Sequence, residues 1–283
     1  MSSEARELTL PDEVTNSTGK SPRDLVIISQ PKMGKSAIFG DFTSKYNALV
    51  FNLEKGGYEY INARKIDIHE SEQTTDEEAF FKYIQWRNKL VAEKGKYKVL
   101  LIDGLSDLDA MSELGGTLMY MKSTIGKYFN CKVKKRPESG YYEPGDPGFK
   151  SVLTLADGAG YRWTREWFLQ QINIFRQIAP HRIYAAHIVD KYIKDNTRDE
   201  VVGQEIALTG RLKNIFASKV TALGKLIADG DKRYINFDVL NDSLIAGSRA
   251  PNLKGKIFVS EKQDDDTIVT DWKHIFDVKD LLN

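Results

Sequence analysis

The stretch Asp24-Leu25-Val26-Ile27-Ile28-Ser29-Gln30-Pro31-Lys32-Met33-Gly34-Lys35-Ser36 decides how the chain is read. Leu25 to Ile28 is an uninterrupted apolar run, as in a strand buried on both faces. A tight segment follows, and Gly34-Lys35-Ser36 opens a helix expected over Ser36 to Tyr46. Strand, loop and helix N-terminus in that order form a phosphate cradle, because loop N–H groups and the helix end both face the anion. The pattern G-x-x-x-x-G-K-[ST] is met at its second glycine, its lysine and its serine. Ser29 stands where the first glycine is expected, and a serine enters a turn at modest cost. The expected nucleotide-binding residues are Ser29, Gln30, Pro31, Lys32, Met33, Gly34, Lys35, Ser36 and Ala37. Gly34 lets the backbone approach, Lys35 reaches the β- and γ-phosphates of ATP, and the Ser36 hydroxyl binds Mg²⁺.

Further apolar runs end in chemistry-bearing residues. Ala48 to Glu54 reads as a buried strand closed by a carboxylate, followed by a Lys55-Gly56-Gly57-Tyr58 turn. Lys98 to Asp103 is a second such strand, and its Asp103 is the expected Mg²⁺ acid, with Ser106 and Asp107 close behind. Arg182 to His187 is a third, which puts His187 near the γ-phosphate edge. Glu54, on the strand after the P-loop helix, suits a water-orienting base in line with the γ-phosphorus. Strands that end in polar groups at one edge are the usual way an open α/β sheet builds a site.

The remaining chain fills in around this sheet. Ala63 to Ile68 alternates as a short strand, and Thr75 caps a helix with Asp76, Glu77 and Glu78 in its first turn. Asp109 to Tyr128 reads as helical or partly ordered, Thr164 to Ala179 as an amphipathic helix, and Leu208 to Phe216 as a short one. Ser218 to Ile227 and Tyr234 to Leu240 form a hairpin about Ala228-Asp229-Gly230-Asp231. Leu244 to Lys256 is an expected loop bearing Arg249, Lys256 to Val259 a last short strand, and Trp272 to Leu282 a terminal helix. Val189 to Gly203 reads as a charged loop, and Pro137 to Lys150 is the longest aperiodic segment. Just before it stand Lys132, Lys134, Lys135 and Arg136. With Tyr141 and Tyr142 they suit a single-stranded nucleic acid, by charge and by stacking, or else form a solvated insertion.

With 283 residues the chain is long for one domain and short for two full ones. A net charge of +1 makes any polyanion surface a local one. Cys131 is the sole cysteine, so no internal disulfide forms, which fits a cytoplasmic setting. No apolar run is long enough to span a bilayer, so no membrane partner is expected. The expected organisation is a flexible arm over 1–22 and a single ATPase domain over 23–283, with a loop insertion near 130–160.

On Ser29 to Ser36, Phe51 to Gly57 with Glu54, Val99 to Asp103 and Ile183 to His187, the chain resembles the RecA-like ATPase family. It looks most like the compact phage-encoded members related to single-strand-annealing recombinases, over roughly Arg23 to Ser260. The resemblance implies an α/β, RecA-like P-loop NTPase core. Its mainly parallel central sheet is flanked by helices and extended by an antiparallel C-terminal hairpin. It implies ATP hydrolysis with Mg²⁺, action on single-stranded DNA, and homo-oligomers with ATP at the subunit interfaces. By the same analogy the loop after Asp103, including Lys132 to Phe149, and the segment with Lys191, Lys194 and Arg198 are DNA loops. His187 then senses the γ-phosphate, and the implied setting is the cytoplasm, including that of a phage-infected bacterium. An interface site also needs a cation from the neighbour: Arg249 first, Lys232 or Arg233 second. Two rivals stay open at this point, a phosphotransferase for a small substrate and a non-catalytic nucleotide-binding assembly protein.

Overall fold

The computed structural model describes residues 19–194, 199–238 and 246–282, with backbone alone for 191–194 and 199–202. In chain order the elements are β1 (Asp24–Ser29), α1 (Lys35–Lys45), β2 (Ala48–Asn52), β3 (Lys65–Asp67), α2 (Asp76–Ala92), β4 (Val99–Asp103), α3 (Leu105–Met121), β5 (Cys131–Val133) and β6 (Arg136–Tyr141). There follow α4 (Gly160–Ile178), β7 (His181–Lys194), β8 (Asp199–Ile206), α5 (Leu212–Ala217), β9 (Ala222–Asp229), β10 (Lys232–Asn236), β11 (Gly247–Ser248), β12 (Lys256–Lys262), β13 (Ile268–Thr270) and α6 (Val278–Leu281).

Among the described residues, eleven strands make one mixed sheet in the order β13-β12-β10-β9-β1-β7-β4-β2-β3, with β11 beside β9 and β8 beside β7. The block from β9 to β3 is parallel throughout. The C-terminal strands β10, β12 and β13 continue it antiparallel. The fold is therefore α/β, with a parallel core and an antiparallel C-terminal extension.

Strict alternation along the core strands supplies two apolar layers. Val26, Ile28, Leu49, Phe51, Leu100, Ile102 and Tyr184 join the layer of Phe80, Tyr83, Leu108, Phe168 and Phe175, from α2, α3 and α4. Leu25, Ile27, Val50, Leu101 and Ile183 face the other way, onto Ile38, Phe39 and Phe42 of α1 and onto Trp272 and Phe276. Covered on both faces, these strands read as continuous apolar runs. Thr75 and Glu78 complete a capping box on α2.

At the amino end of β1, Asp24 is buried but fully paired. Its carboxylate accepts from Arg182 Nε at 2.8 Å, Arg176 Nε at 3.1 Å and Tyr184 OH at 3.3 Å. One acid thus ties β1 to β7 and α4, at the end of the sheet opposite the turn that follows Ser29.

Several elements differ from the sequence reading. α3 starts at Leu105 and runs on through Gly115 and Gly116, where a Cβ would stand 2.2 Å from Trp167 and 2.8 Å from the Thr164 backbone. These glycines let α3 and α4 touch closely, and α4 begins at Gly160, ahead of Thr164. Val189 to Gly203 is not a loop: β7 runs past the sheet and returns as β8, forming an antiparallel arm. The expected aperiodic insertion contains the β5–β6 hairpin, with Lys135 in a left-handed turn conformation. Trp272 to Leu282 is helical only over α6; Trp272, Ile275 and Phe276 form one buried turn before Asp277 restarts the chain as a cap. Part of the expected arm is anchored, since Ser21 Oγ donates to Asp280 and accepts from the Asp277 N–H. Residues 1–18 lie outside the described residues.

Candidate functional site

The site forms where β1, β2 and β4 end and β7 passes on out of the parallel sheet. In register, Ser29 pairs with His187, Asp103 with Ala185, and Asn52 with Asp103. The expected residues therefore converge at one carboxyl edge, as parallel strands require.

The loop from Gln30 to Gly34 turns through left-handed conformations at Lys32 (φ 62°) and Gly34 (φ 86°). Ser29 is not among the residues with positive φ. Its backbone is ordinary strand, so this position does not need a glycine's freedom. No side chain caps α1, which leaves its first N–H groups to an outside acceptor.

Lys35 opens α1 and is 93% buried, being 7% exposed. Its ammonium lies 3.5 Å from Glu54 Oε1 and 3.8 Å from Asp103 Oδ1, both beyond hydrogen-bond contact. Eight buried side-chain polar atoms among the described residues lack a hydrogen bond, and five are here: Ser29 Oγ, Lys35 Nζ, Glu54 Oε1, Asp103 Oδ1 and His187 Nδ1. Buried polar groups are rarely left unmatched, so a cluster of them marks a place built for a ligand.

Glu54 is held by backbone clamps. Asn52, itself buried, donates from Nδ2 to the Glu54 carbonyl (3.0 Å) and accepts the Glu54 N–H on Oδ1 (3.2 Å). Its Nδ2 also donates to Asp67 (2.8 Å). The Leu53 N–H donates to the Asp103 carbonyl at 2.8 Å. His187 Nε2 approaches Glu54 Oε1 at 3.0 Å. Gly104 (φ 102°) lets β4 pass beneath, because a Cβ there would stand 2.9 Å from Glu54 Cγ and 2.9 Å from Asp107 Oδ2.

Asp103 is fully buried and accepts from Tyr58 OH at 2.7 Å. Burial raises its carboxyl above the ordinary range, against the lowering pull of Lys35. Burial and the Asp103 charge hold the Tyr58 hydroxyl well above its ordinary value, so it stays a donor. Burial and the Glu54 charge push Asp107 up to about 7. A hydrogen bond with the Ser36 hydroxyl pulls the Tyr58 value down against burial and the Asp103 charge. A serine hydroxyl and a buried carboxylate with a free oxygen are the protein ligands that a phosphate-bound Mg²⁺ takes. The residues present fit that ion.

Other expected residues lie elsewhere. Ser106 Oγ turns away to the Ala207 carbonyl. Arg249 is at the opposite, amino edge, where its N–H donates to Thr221 and its guanidinium to the Ser218 carbonyl. Arg233, by contrast, stays beside the site, its Nε donating to the Met33 carbonyl of the Gln30 to Gly34 loop at 3.3 Å, while Lys232 pairs with Glu261. Lys132, Lys134, Lys135 and Arg136 are exposed on the β5–β6 hairpin. Tyr141 donates to the Lys127 carbonyl, and Tyr142 lies against Gly148. Lys191 and Lys194 fall on the β7 part of the arm, and Arg198 lies outside the described residues.

Sequence reasoning missed Asn52 and Tyr58. Spacing does not separate Tyr58, 2% exposed, from Tyr60, 96% exposed, two positions on in the same polar turn. For Asn52 a signal existed: a buried strand that ends in an amide just before its acid. Comparison with known protein families and with curated proteins finds no match for this chain.

Proposed function

We propose that the chain is a Mg²⁺-dependent ATPase with a RecA-like P-loop core, acting on single-stranded DNA in phage or bacterial recombination, repair or replication. The observation that carries this is the buried, unbonded Lys35 ammonium at an uncapped helix start, facing two carboxylates. The strand order β9-β1-β7-β4-β2 supports it, since the acid strand β4 lies between the strands of His187 and Glu54.

In this reading the loop and α1 N–H groups donate to the phosphates, and Lys35 moves its charge onto them. Ser36 and Asp103 would hold a Mg²⁺ ion, which would supply positive charge against the phosphates. With Lys35 engaged, Glu54 is released to orient a water and accept its proton as the water attacks the γ-phosphorus in line. His187 reads the state of Glu54 through their 3.0 Å contact. It stands on the strand that continues as the β7–β8 arm, the proposed DNA contact of this reading. Arg249, far from its own site, reaches a nucleotide only in a neighbouring copy, which suits an oligomer with interface sites.

The test is phosphate release against protein concentration, with and without single-stranded DNA. The reading predicts a rate per chain that rises with concentration and with DNA. ATP·Mg²⁺ binding with no phosphate release under either condition sinks it; transfer to a small acceptor would favour a phosphotransferase. Glu54→Gln is expected to keep ATP affinity and lower turnover by about 10²–10⁴, the range for a lost general base. Undiminished turnover removes Glu54 from that role.

A further inference from the structure

We propose that a groove at the amino edge of the sheet is a second polyanion site, which takes the sugar–phosphate backbone of single-stranded nucleic acid. It rests on the nucleic-acid partner of the reading above, not on the ATPase chemistry.

The groove encloses about 770 Å³. Three segments build it: Lys20 ahead of β1, the stretch from Asn252 into β12, and Lys273 to Val278. Each is anchored. Ser21 is bonded to Asp277 and Asp280, Leu253 and Phe276 are buried, and Asn252 Nδ2 donates to the His274 carbonyl. The cationic side chains thus stand on fixed backbone, which lowers the ordering cost of binding.

Charge in the groove is one-sided. Lys20, Lys254, Lys256 and Lys273 line it with His274, and Asp277 is its one acid. Asp277 is taken by Lys279 at 3.1 Å and Lys273 by Asp271 at 2.6 Å. Among the described residues, Lys254 and Lys256 make no ion pair, and Lys20 meets Asp277 through charge alone, without a paired contact. Elsewhere lysines are commonly neutralised close by, as in Lys45–Asp41, Lys65–Asp67 and Lys213–Glu205. In a chain of 41 basic and 40 acidic residues, unmatched ammoniums gathered in one concavity concentrate positive potential.

The shape selects among polyanions. Ile257 and Phe258 are half-buried, and Val278 is the one exposed apolar side chain of the lining, too little apolar surface to hold a bilayer. The volume admits a few nucleotides of single strand, not a duplex. Lysines are point charges without the arginine fork, so binding is set by phosphates and indifferent to base sequence.

The experiment is fluorescence anisotropy of a labelled oligothymidine over a salt series, in EDTA and without nucleotide. Compared are the wild type, Lys20→Ala/Lys254→Ala/Lys256→Ala, and the same three positions changed to Arg. The alanine variant is expected to bind at least about tenfold more weakly at low salt, and its log–log salt slope to fall by about 2, at about 0.7 per lost phosphate contact. The arginine variant is expected to keep the wild-type slope. All three positions are exposed, and circular dichroism is the check that the variants fold. An unchanged slope in the alanine variant, or no oligothymidine binding by the wild type, overturns the proposal. So does binding to phosphatidylserine vesicles, lost in the alanine variant, without binding to the oligonucleotide. No nucleotide is present, so this outcome stands whether or not the protein hydrolyses ATP.

Discussion

Strand β1 carries a buried charge cluster at each end, and the two are built differently. At its amino end, Asp24 meets Arg182, Arg176 and Tyr184 within 3.3 Å, and every contact is a hydrogen bond. At its carboxyl end, Lys35 stands 3.5 Å and 3.8 Å from Glu54 and Asp103, and bonds to neither. Both clusters are buried and both mix signs. The first is closed: its charges are satisfied by one another, and its work is to fix β1 against β7 and α4. The second is held open by clamps around its rim, from Asn52 on Glu54 and Tyr58 on Asp103. Pairing distance, more than burial, separates a structural ion cluster from one poised for a ligand.

The contrast predicts opposite responses to loss of a cation. Arg182→Ala leaves Asp24 short of its main partner and is expected to lower unfolding stability by about 3–5 kcal/mol, the usual cost of breaking a buried pair. Denaturant titration measures it; a loss under 1 kcal/mol, far below that range, erases the distinction. Lys35→Ala is expected to leave the free protein folded but weaken ATP binding about 100-fold or more, as charge-assisted bonds to phosphate are lost. The readout is the ATP-induced shift in melting temperature, and a retained shift moves the site elsewhere.

Smaller changes sharpen the picture. Asn52→Ala removes the clamp on the Glu54 backbone, at an expected cost of about 1–3 kcal/mol. Turnover should fall while ATP affinity stays, because Glu54 loses its aim and the cradle is untouched. Parallel loss of both would make Asn52 a fold residue only. The smallest effect is in pH. Asp107 has its folded value raised to about 7, so its favourable share of stability is complete below the ordinary carboxyl range and is lost as pH rises to about 7. Asp107→Asn should flatten that decline in the nucleotide-free protein; an unaltered profile assigns the decline to other groups, Asp103 first.

Much of the site was legible because its information is local. Four buried strands announce themselves by apolar runs, and Ser29, Asp103 and His187 follow as their last or next residues. That these strands run parallel follows from the edge they share, but their order comes from the structure. The β5–β6 hairpin was not legible, since strands with both faces near solvent need no alternation, and the arm was not because its charged sequence resembles a loop. Trp272, Ile275 and Phe276 have helical spacing and do make one turn, but Asp277 ends it. Tyr58 and Asn52 act through contacts made only once the sheet is assembled. Arg249 shows the reverse limit: an arginine in a loop is easily noticed, but its edge of the sheet is not.

Strand β7 is fourteen residues long and belongs to two structures at once. Its first half is locked in register between β1 and β4. A slip of one residue would turn His187 to the opposite face, so sliding is barred. Among the described residues the second half pairs with β8 alone, and their pairing shifts between Lys191 and Tyr192. That irregularity is the first place where the strand can yield. A tug on the outer arm is taken up there as a pivot, while the histidine keeps its station beside the glutamate.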